Sequence, residues 1–377
     1  MFKSSMLLVG IKYSSAGIQF FIKTLLSRIL GGEAFGIFIA SVNFVVFLSK
    51  LASFGSLISI QREAAKCKDE NFSCLFYIPV LHAVLISLFS YCFLNLSYIV
   101  FLLPFLTYVA TYSLYLTGKE RFKELFYITN LPIIASFFFL LVADYILLKD
   151  DLVLYVYLSI LYILPFFFSI FRFRVSISIS KNAIFDFYNK HIKIFLVTSL
   201  AFFNYRSIVI LAPFFLTGGM VSTIVIYHSF LEVIVVTIGA FASVLLNRLS
   251  LGDKRNLTTD ILVTCSILCA IAIFFLFFGS ALAKFLFEDS FNMDYAINIY
   301  MFVAIPICIN KLLESFYFSI SRTLPLMLSR FGYVSIFMVL FNFTEVSNPF
   351  DAYIIYISSY VLSSMILLYF YYCETDK

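Results

Sequence analysis

Residues 172–191 read RFRVSISISKNAIFDFYNKH, the longest polar stretch in a chain of 377 residues and close to its midpoint. On either side the sequence is a succession of apolar runs, each near the roughly 20 residues that an α-helix needs to cross a bilayer. Six runs precede the stretch, at 6–30, 34–59, 73–93, 96–117, 124–148 and 151–171; six follow it, at 192–216, 220–246, 258–286, 295–319, 323–343 and 350–373. The predicted fold is an all-α polytopic membrane protein of about 12 transmembrane helices in two six-helix bundles. The bundles cover 1–171 and 192–377, and 172–191 is the linker. Equal halves about a midpoint linker are the sequence form of a duplicated transporter fold. The halves share no residue-level repeat, so the duplication rests on span count.

Composition supports this reading. The chain is 62% hydrophobic and 12% charged, against roughly 45–50% and 25% in ordinary soluble domains. That excludes a soluble enzyme, and short links leave no room for a separate catalytic or nucleotide-hydrolysing domain. No G-x-x-x-x-G-K-[ST] loop is present, and no cofactor is expected. The 49 Phe and 25 Tyr suit lipid-facing and interfacial positions; with no Trp, any aromatic belt must be Tyr.

The net charge of +5 is spread singly between apolar runs, so it reports orientation rather than a nucleic-acid partner. Seventeen Lys and Arg fall in the N-terminus, the even-numbered links and the C-terminus, including Arg62, Lys119, Arg121, Lys123, Arg172, Arg174 and Lys181. Only Arg28, Lys149 and Lys284 fall in the odd links. This bias predicts that both termini are cytoplasmic. The opening MFKSSMLLVGIKYSSAG is built like a signal peptide, but Lys12 interrupts it and the apolar run continues to Leu30, so it reads as a retained first span. Of the seven Cys, only Cys265 and Cys269 share a helical face, and they read as small buried thiols rather than metal ligands. Pro132, Pro165, Pro213 and Pro306 lie inside predicted spans and should kink them, as passive bends or as gates.

Six cations remain inside the spans: Lys12, Lys23, Lys50, Arg206, Lys311 and Arg330. They face three acids, Asp144, Glu232 and Glu314, of which Asp144 is interfacial. A central charge costs about 2.5–3.5 kcal/mol to insert, so most of the six need water, a partner or the interface. Lys12, Ser15, Gln19 and Lys23 recur at spacings of 3, 4 and 4 and line one helical face; Asn43, Lys50 and Ser53 fall on one side of the second span. We read these stripes as the lining of a water-filled cavity; packing glue between helices is the competing reading. In the second half, Asn204 and Arg206, His228 and Glu232, and Asn310, Lys311 and Glu314 form a matching polar set. His228 with Glu232 forms either a proton-carrying pair or a satisfied polar contact, and Lys311 with Glu314, at i and i+3, could simply neutralise each other. The positive surplus favours an anionic substrate. Arg206 is the first candidate to grip a phosphate through its planar fork of donors.

The segment SRILGGEAFGIFIASVNFVVFLSKLASFGS, residues 27–56, resembles the opening block of Wzx-type polysaccharide flippases of the multidrug/oligosaccharidyl-lipid/polysaccharide exporter superfamily. The resemblance lies in Arg28, Leu30, Gly31, Glu33, Phe35, Gly36, Phe54 and Gly55. It implies two MATE-like six-helix bundles around a central cavity open to one side at a time. The implied substrate is an undecaprenyl-pyrophosphate-linked oligosaccharide, an O-antigen unit or similar, moved outward across the bacterial inner membrane. Expected partners are that lipid-linked saccharide, membrane lipids and other polysaccharide assembly proteins. On this reading Arg206, Lys50, Lys23, Lys12, Lys311 and Arg330 hold the headgroup, while Glu232, His228 and Glu314 are candidates for ion coupling. Two rivals stand. A polysaccharide polymerase would need a sizeable exposed catalytic loop, and a multidrug cation antiporter would need acids where this chain has excess cations.

Overall fold

The computed structural model describes residues 2–66, 73–94, 98–146, 151–172, 181–250, 257–287, 299–344, 346 and 348–375, and among these every regular element is helical. Among the described residues eleven helices are long and apolar enough to cross a membrane, and the chain is a multi-pass membrane protein. In hydrocarbon the helix is the natural solution, because it satisfies each backbone N–H and C=O within one segment. The first helix, α1 (Phe2–Leu30), has the length of a span at 29 residues but is not among those eleven. Its Lys12, Gln19, Lys23 and Arg28 dilute its apolar character.

Packing divides the chain into two compact units. Unit 1 comprises residues up to Leu25 together with Ser41–Phe202; unit 2 comprises Leu26–Ala40 together with Phe203–Lys377. Three helices pass from one unit to the other: α1, α2 (Gly32–Ala52) and α8 (Lys181–Leu211). Residues 181–191, the second half of the expected linker, are therefore the start of a 31-residue helix counted with unit 1 up to Phe202. Residues 173–180, with Arg174, lie outside the described residues, as do the side chains of Arg172 and Lys181.

In unit 1 the second span ends earlier than the hydropathy of 34–59 predicts. Phe54 (φ 47°) and Gly55 (φ 74°) take left-handed backbone after Ala52, and the chain restarts as the short amphipathic helix α3 (Ser56–Lys66). Glycine tolerates that region freely, whereas Phe54 is strained there and is held by its neighbours. Its ring stacks on Phe195 at 4.4 Å and meets Tyr188 edge-on at 5.1 Å. Gly55 has a second reason to be glycine, since a Cβ there would lie 2.6 Å from the Phe195 backbone nitrogen. Helix α3 buries Leu57, Ile60 and Ala64 and packs on α5 (Leu103–Gly118), beside α4 (Ser73–Leu94). After α5 come α6 (Phe122–Tyr145) and α7, which runs Asp151–Leu158, takes a π turn over Ser159–Ile163 and resumes as Leu164–Arg172.

Unit 2 contains α9 (Gly218–Ser250), α10 (Leu257–Phe287), α11 (Ala304–Ser319), α12 (Leu324–Phe343) and α13 (Pro349–Thr375). Helix α11 packs against α9, α10 and α13, and α12 pairs with α13 as a hairpin. The turn that joins α1 to α2 belongs here: Gly31 (φ 76°) closes α1, the Ser222 hydroxyl donates to the Gly32 carbonyl, and Gly36 lies against Ser222 with no room for a Cβ. Two of the four prolines do not interrupt helices as expected. Pro213 ends α8 in a 3₁₀ turn, and Pro306 lies in the first turn of α11, just after the 3₁₀ turn Met301–Val303. Pro165 directly follows the π turn of α7, which absorbs it, and Pro132 lies within α6.

Candidate functional site

The intramembrane charges fall into two sets, three cations in each unit. In unit 2, α8 brings Arg206 to Glu232 of α9, and the guanidinium donates to Glu232 Oε1 in an ion pair whose side chains are 11% and 15% exposed. A second cluster joins α11 to α12. Arg330 Nη2 donates to Glu314 Oε2 at 3.3 Å, and Lys311 Nζ lies 3.7 Å from the same oxygen. The two intramembrane carboxylates of unit 2, Glu232 and Glu314, are thus engaged by basic side chains.

His228 Nδ1 lies 3.1 Å from the Tyr300 hydroxyl. Around these groups lies a cluster of tyrosines, which the charge-based reading of the sequence missed. Tyr300, Tyr333, Tyr353, Tyr356 and Tyr360 are all buried, with ring centroids 4.6 Å apart for Tyr300 and Tyr353 and 4.9 Å for Tyr333 and Tyr360. Their hydroxyls have work to do: Tyr356 donates to the Tyr205 carbonyl at 2.7 Å, Tyr353 to the Ile299 carbonyl at 2.6 Å, and Tyr333 shares a hydrogen with Ser207 at 2.8 Å. A buried phenol needs such a partner, and here the partners tie α8, α12 and α13 together. A signal for this was present, because Tyr353, Tyr356 and Tyr360 recur at i, i+3 and i+7 on one face of α13. Asn204 and Asn310 serve the same scaffold, with Asn204 Nδ2 donating to the Arg330 carbonyl at 3.4 Å and Asn310 Nδ2 to Ser363 Oγ at 3.2 Å.

In unit 1 the cations have a different setting. Helix α1 carries no acid at all, α2 only Glu33 in its first turn, and α4 and α5 none. Lys12 is half-buried, and no ion pair includes it among the described residues. One residue away, Asn130 of α6 is fully buried and donates to the Ile11 carbonyl at 3.0 Å and to Ser14 Oγ at 2.8 Å, which fixes the polar face of α1. Lys23 is half-buried on the same helix. Lys50 lies with its ammonium 6.0 Å from the centroid of the Phe202 ring, which stacks on Phe47. A cation within about 6 Å of an aromatic face is attracted by the ring's quadrupole.

The six candidate cations therefore do not form one set. Arg206, Lys311 and Arg330 share two carboxylates, whereas Lys12, Lys23 and Lys50 belong to helices that supply none at their depth.

No protein-family model matches the chain, and no curated protein matches it in sequence. Solved structures do match it in fold. An outward-facing multidrug resistance MATE family transporter of the MOP superfamily superposes with a TM-score of 0.67 at 12% identity, over 97% of this chain and 93% of that one. A eukaryotic MATE transporter gives 0.66 at 12% identity over 97% and 94%. The lipid II flippase MurJ, in an inward closed conformation, gives 0.63 at 15% identity over 95% and 86%. The protein thus has the fold shared by MATE transporters of the MOP superfamily and MurJ.

Proposed function

We propose that the protein is a flippase that moves a lipid-linked anionic oligosaccharide across the bacterial inner membrane by alternating access, with both termini in the cytoplasm. The substrate class is the undecaprenyl-pyrophosphate-linked repeat unit. Lys12, Lys23 and Lys50 would meet its pyrophosphate while the polyprenyl tail stays in lipid. The observation that carries this reading is the surplus of basic over acidic residues at membrane depth, six against Asp144, Glu232 and Glu314, with three of the six on α1 and α2, whose one acid is Glu33 in the first turn of α2. Such charges are costly in hydrocarbon and mark a functional path.

The charges of unit 2 fit the coupling side of the same cycle. While Glu232 holds Arg206, that guanidinium is not available to a phosphate. A proton or metal cation taken by Glu232 would compete with Arg206 and free it, so Glu232 is the proposed coupling group and Arg206 the group that responds. The engagement of Glu314 by Arg330 and Lys311 places it in the scaffold on this reading.

The rival, an antiporter of organic cations, needs a carboxylate open to a positive substrate. Both Glu232 and Glu314 are taken by arginine, which weighs against it. The test is reconstitution in proteoliposomes with a fluorescent polyprenyl-pyrophosphate oligosaccharide. Replacing Lys12, Lys23 and Lys50 together with Met should cut translocation at least about tenfold with the protein still folded, since each lost phosphate contact is worth over 1 kcal/mol. Undiminished translocation, or transport of an organic cation instead, would overturn the assignment.

A further inference from the structure

The first half of α8 is held to the rest of unit 1 by a contact that the transport reading does not use. From Ile184 to Ile192 the helix is exposed on every side but one, where Phe187 and His191 are buried. These two, with Phe195 after them, recur every four residues and form one stripe. The stripe meets α3 at two points. A Cβ on Gly55, just before α3, would lie 2.6 Å from the Phe195 backbone nitrogen, and Lys190 Nζ lies 3.6 Å from Glu63 Oε1. Between these points lie His191 on α8 and the buried Ser56 and Ser59 on α3, which share a face with Glu63 at i, i+3 and i+7.

Three buried polar atoms in this stretch have no hydrogen-bond partner: Ser56 Oγ, Ser59 Oγ and His191 Nε2, the last on a residue only 2% exposed. The other nitrogen fixes the tautomer of the imidazole. His191 Nδ1 lies 2.6 Å from the Phe187 carbonyl, which can only accept, so Nδ1 carries the hydrogen and Nε2 the lone pair. A proton added to Nε2 would make a buried cation whose new N–H has no acceptor in the docked geometry, a state that burial penalises heavily. The surrounding charges give no relief. Lys190, Arg62 and Glu63 act on the ring, and Glu63 Oε1 is already shared by Arg62 at 3.5 Å and Lys190 at 3.6 Å.

A second histidine at the same contact behaves differently. His82 of α4 has Nδ1 3.0 Å from the Ala52 carbonyl and Nε2 2.6 Å from the Tyr188 hydroxyl. A proton on its Nε2 keeps both bonds, because the Tyr188 oxygen can accept as well as donate. Of the two, only His191 is docked in a form that a proton disrupts.

We propose that the α3–α8 contact is a proton-sensitive latch: neutral His191 keeps the first half of α8 docked on α3, and a proton on Nε2 releases it. The latch is separate from Glu232 and holds whatever the protein transports. An exposed imidazole takes up a proton below about pH 6.5. The docked state is therefore at full strength above that pH and weakens as pH falls, the released share growing by up to about tenfold per unit.

The test is hydrogen–deuterium exchange of the purified full-length protein in lipid nanodiscs at pH 7.5 and 5.5, corrected for the intrinsic rate at each pH. Amides of 187–195 should exchange about tenfold faster at pH 5.5, while those of α6 hold steady. His191→Gln, which cannot take the proton, should abolish the step, and His82→Gln should keep it. The wild-type comparison requires no variant to fold. No acceleration in the wild type, equal acceleration in α6, a step that survives His191→Gln, or one that disappears in His82→Gln would each overturn the proposal.

Discussion

Unit 1 and unit 2 each hold three basic side chains at membrane depth, yet the two sets differ in kind. Arg206 and Arg330 are neutralised by carboxylates from a neighbouring helix, near tyrosine, serine and asparagine side chains that hydrogen-bond across helices. Lys12, by contrast, has no ion-pair partner among the described residues, and its helix contains no acid. The difference teaches that intramembrane charge is not one signal. A paired arginine braces a bundle, whereas a lysine kept without an acid is a standing cost that only function justifies.

The comparison can be broken most forcefully in unit 2. Glu314→Ala would leave Arg330, 3% exposed, as a buried charge without its carboxylate. Removing one partner of a buried pair costs about 3–5 kcal/mol, and thermal unfolding in detergent should show a large loss. Replacing both Glu314 and Arg330 with Met should recover most of it. Equal stability of the single and double variants would show that the pair does not brace the bundle.

Unit 1 should respond in the opposite sense. Lys12→Met removes an inserted charge whose cost is up to about 2.5–3.5 kcal/mol, so the variant should unfold at the same or a higher temperature while translocation in the proteoliposome assay falls. A destabilised Lys12→Met would move Lys12 into the structural class.

The smallest effect is expected at Asn130. Its two hydrogen bonds to α1 are of the interhelical kind that contributes about 0.6 kcal/mol on average and about 1.7 at most in membranes. Asn130→Leu should lower stability by that order. A larger loss of transport than of stability would show that Asn130 sets the orientation of the Lys12 face.

Much of the architecture was legible in the sequence. The all-helical succession of apolar spans and the polar stripe of α1 follow from two rules that need no neighbour: about 20 apolar residues per crossing and 3.6 residues per turn. The local pairing of Lys311 with Glu314 was legible for the same reason, since i and i+3 meet on any helix. The early end of α2 was not, because Phe54 takes its left-handed backbone only with Phe195 and Tyr188 packed on its ring. Nor was the continuity of α8, whose first residues are polar enough to read as a link.

The sequence by itself determined that this is a helical membrane protein carrying more positive than negative charge at depth, because hydrocarbon imposes its terms on every segment separately. Only the tertiary structure decided that Arg206 and Arg330 each meet a carboxylate from another helix. Arg206 and Glu232 are 26 residues apart and Arg330 and Glu314 are 16 apart, on different helices. Helical phase says which way a side chain points along its own axis, and it says nothing about which helix stands opposite.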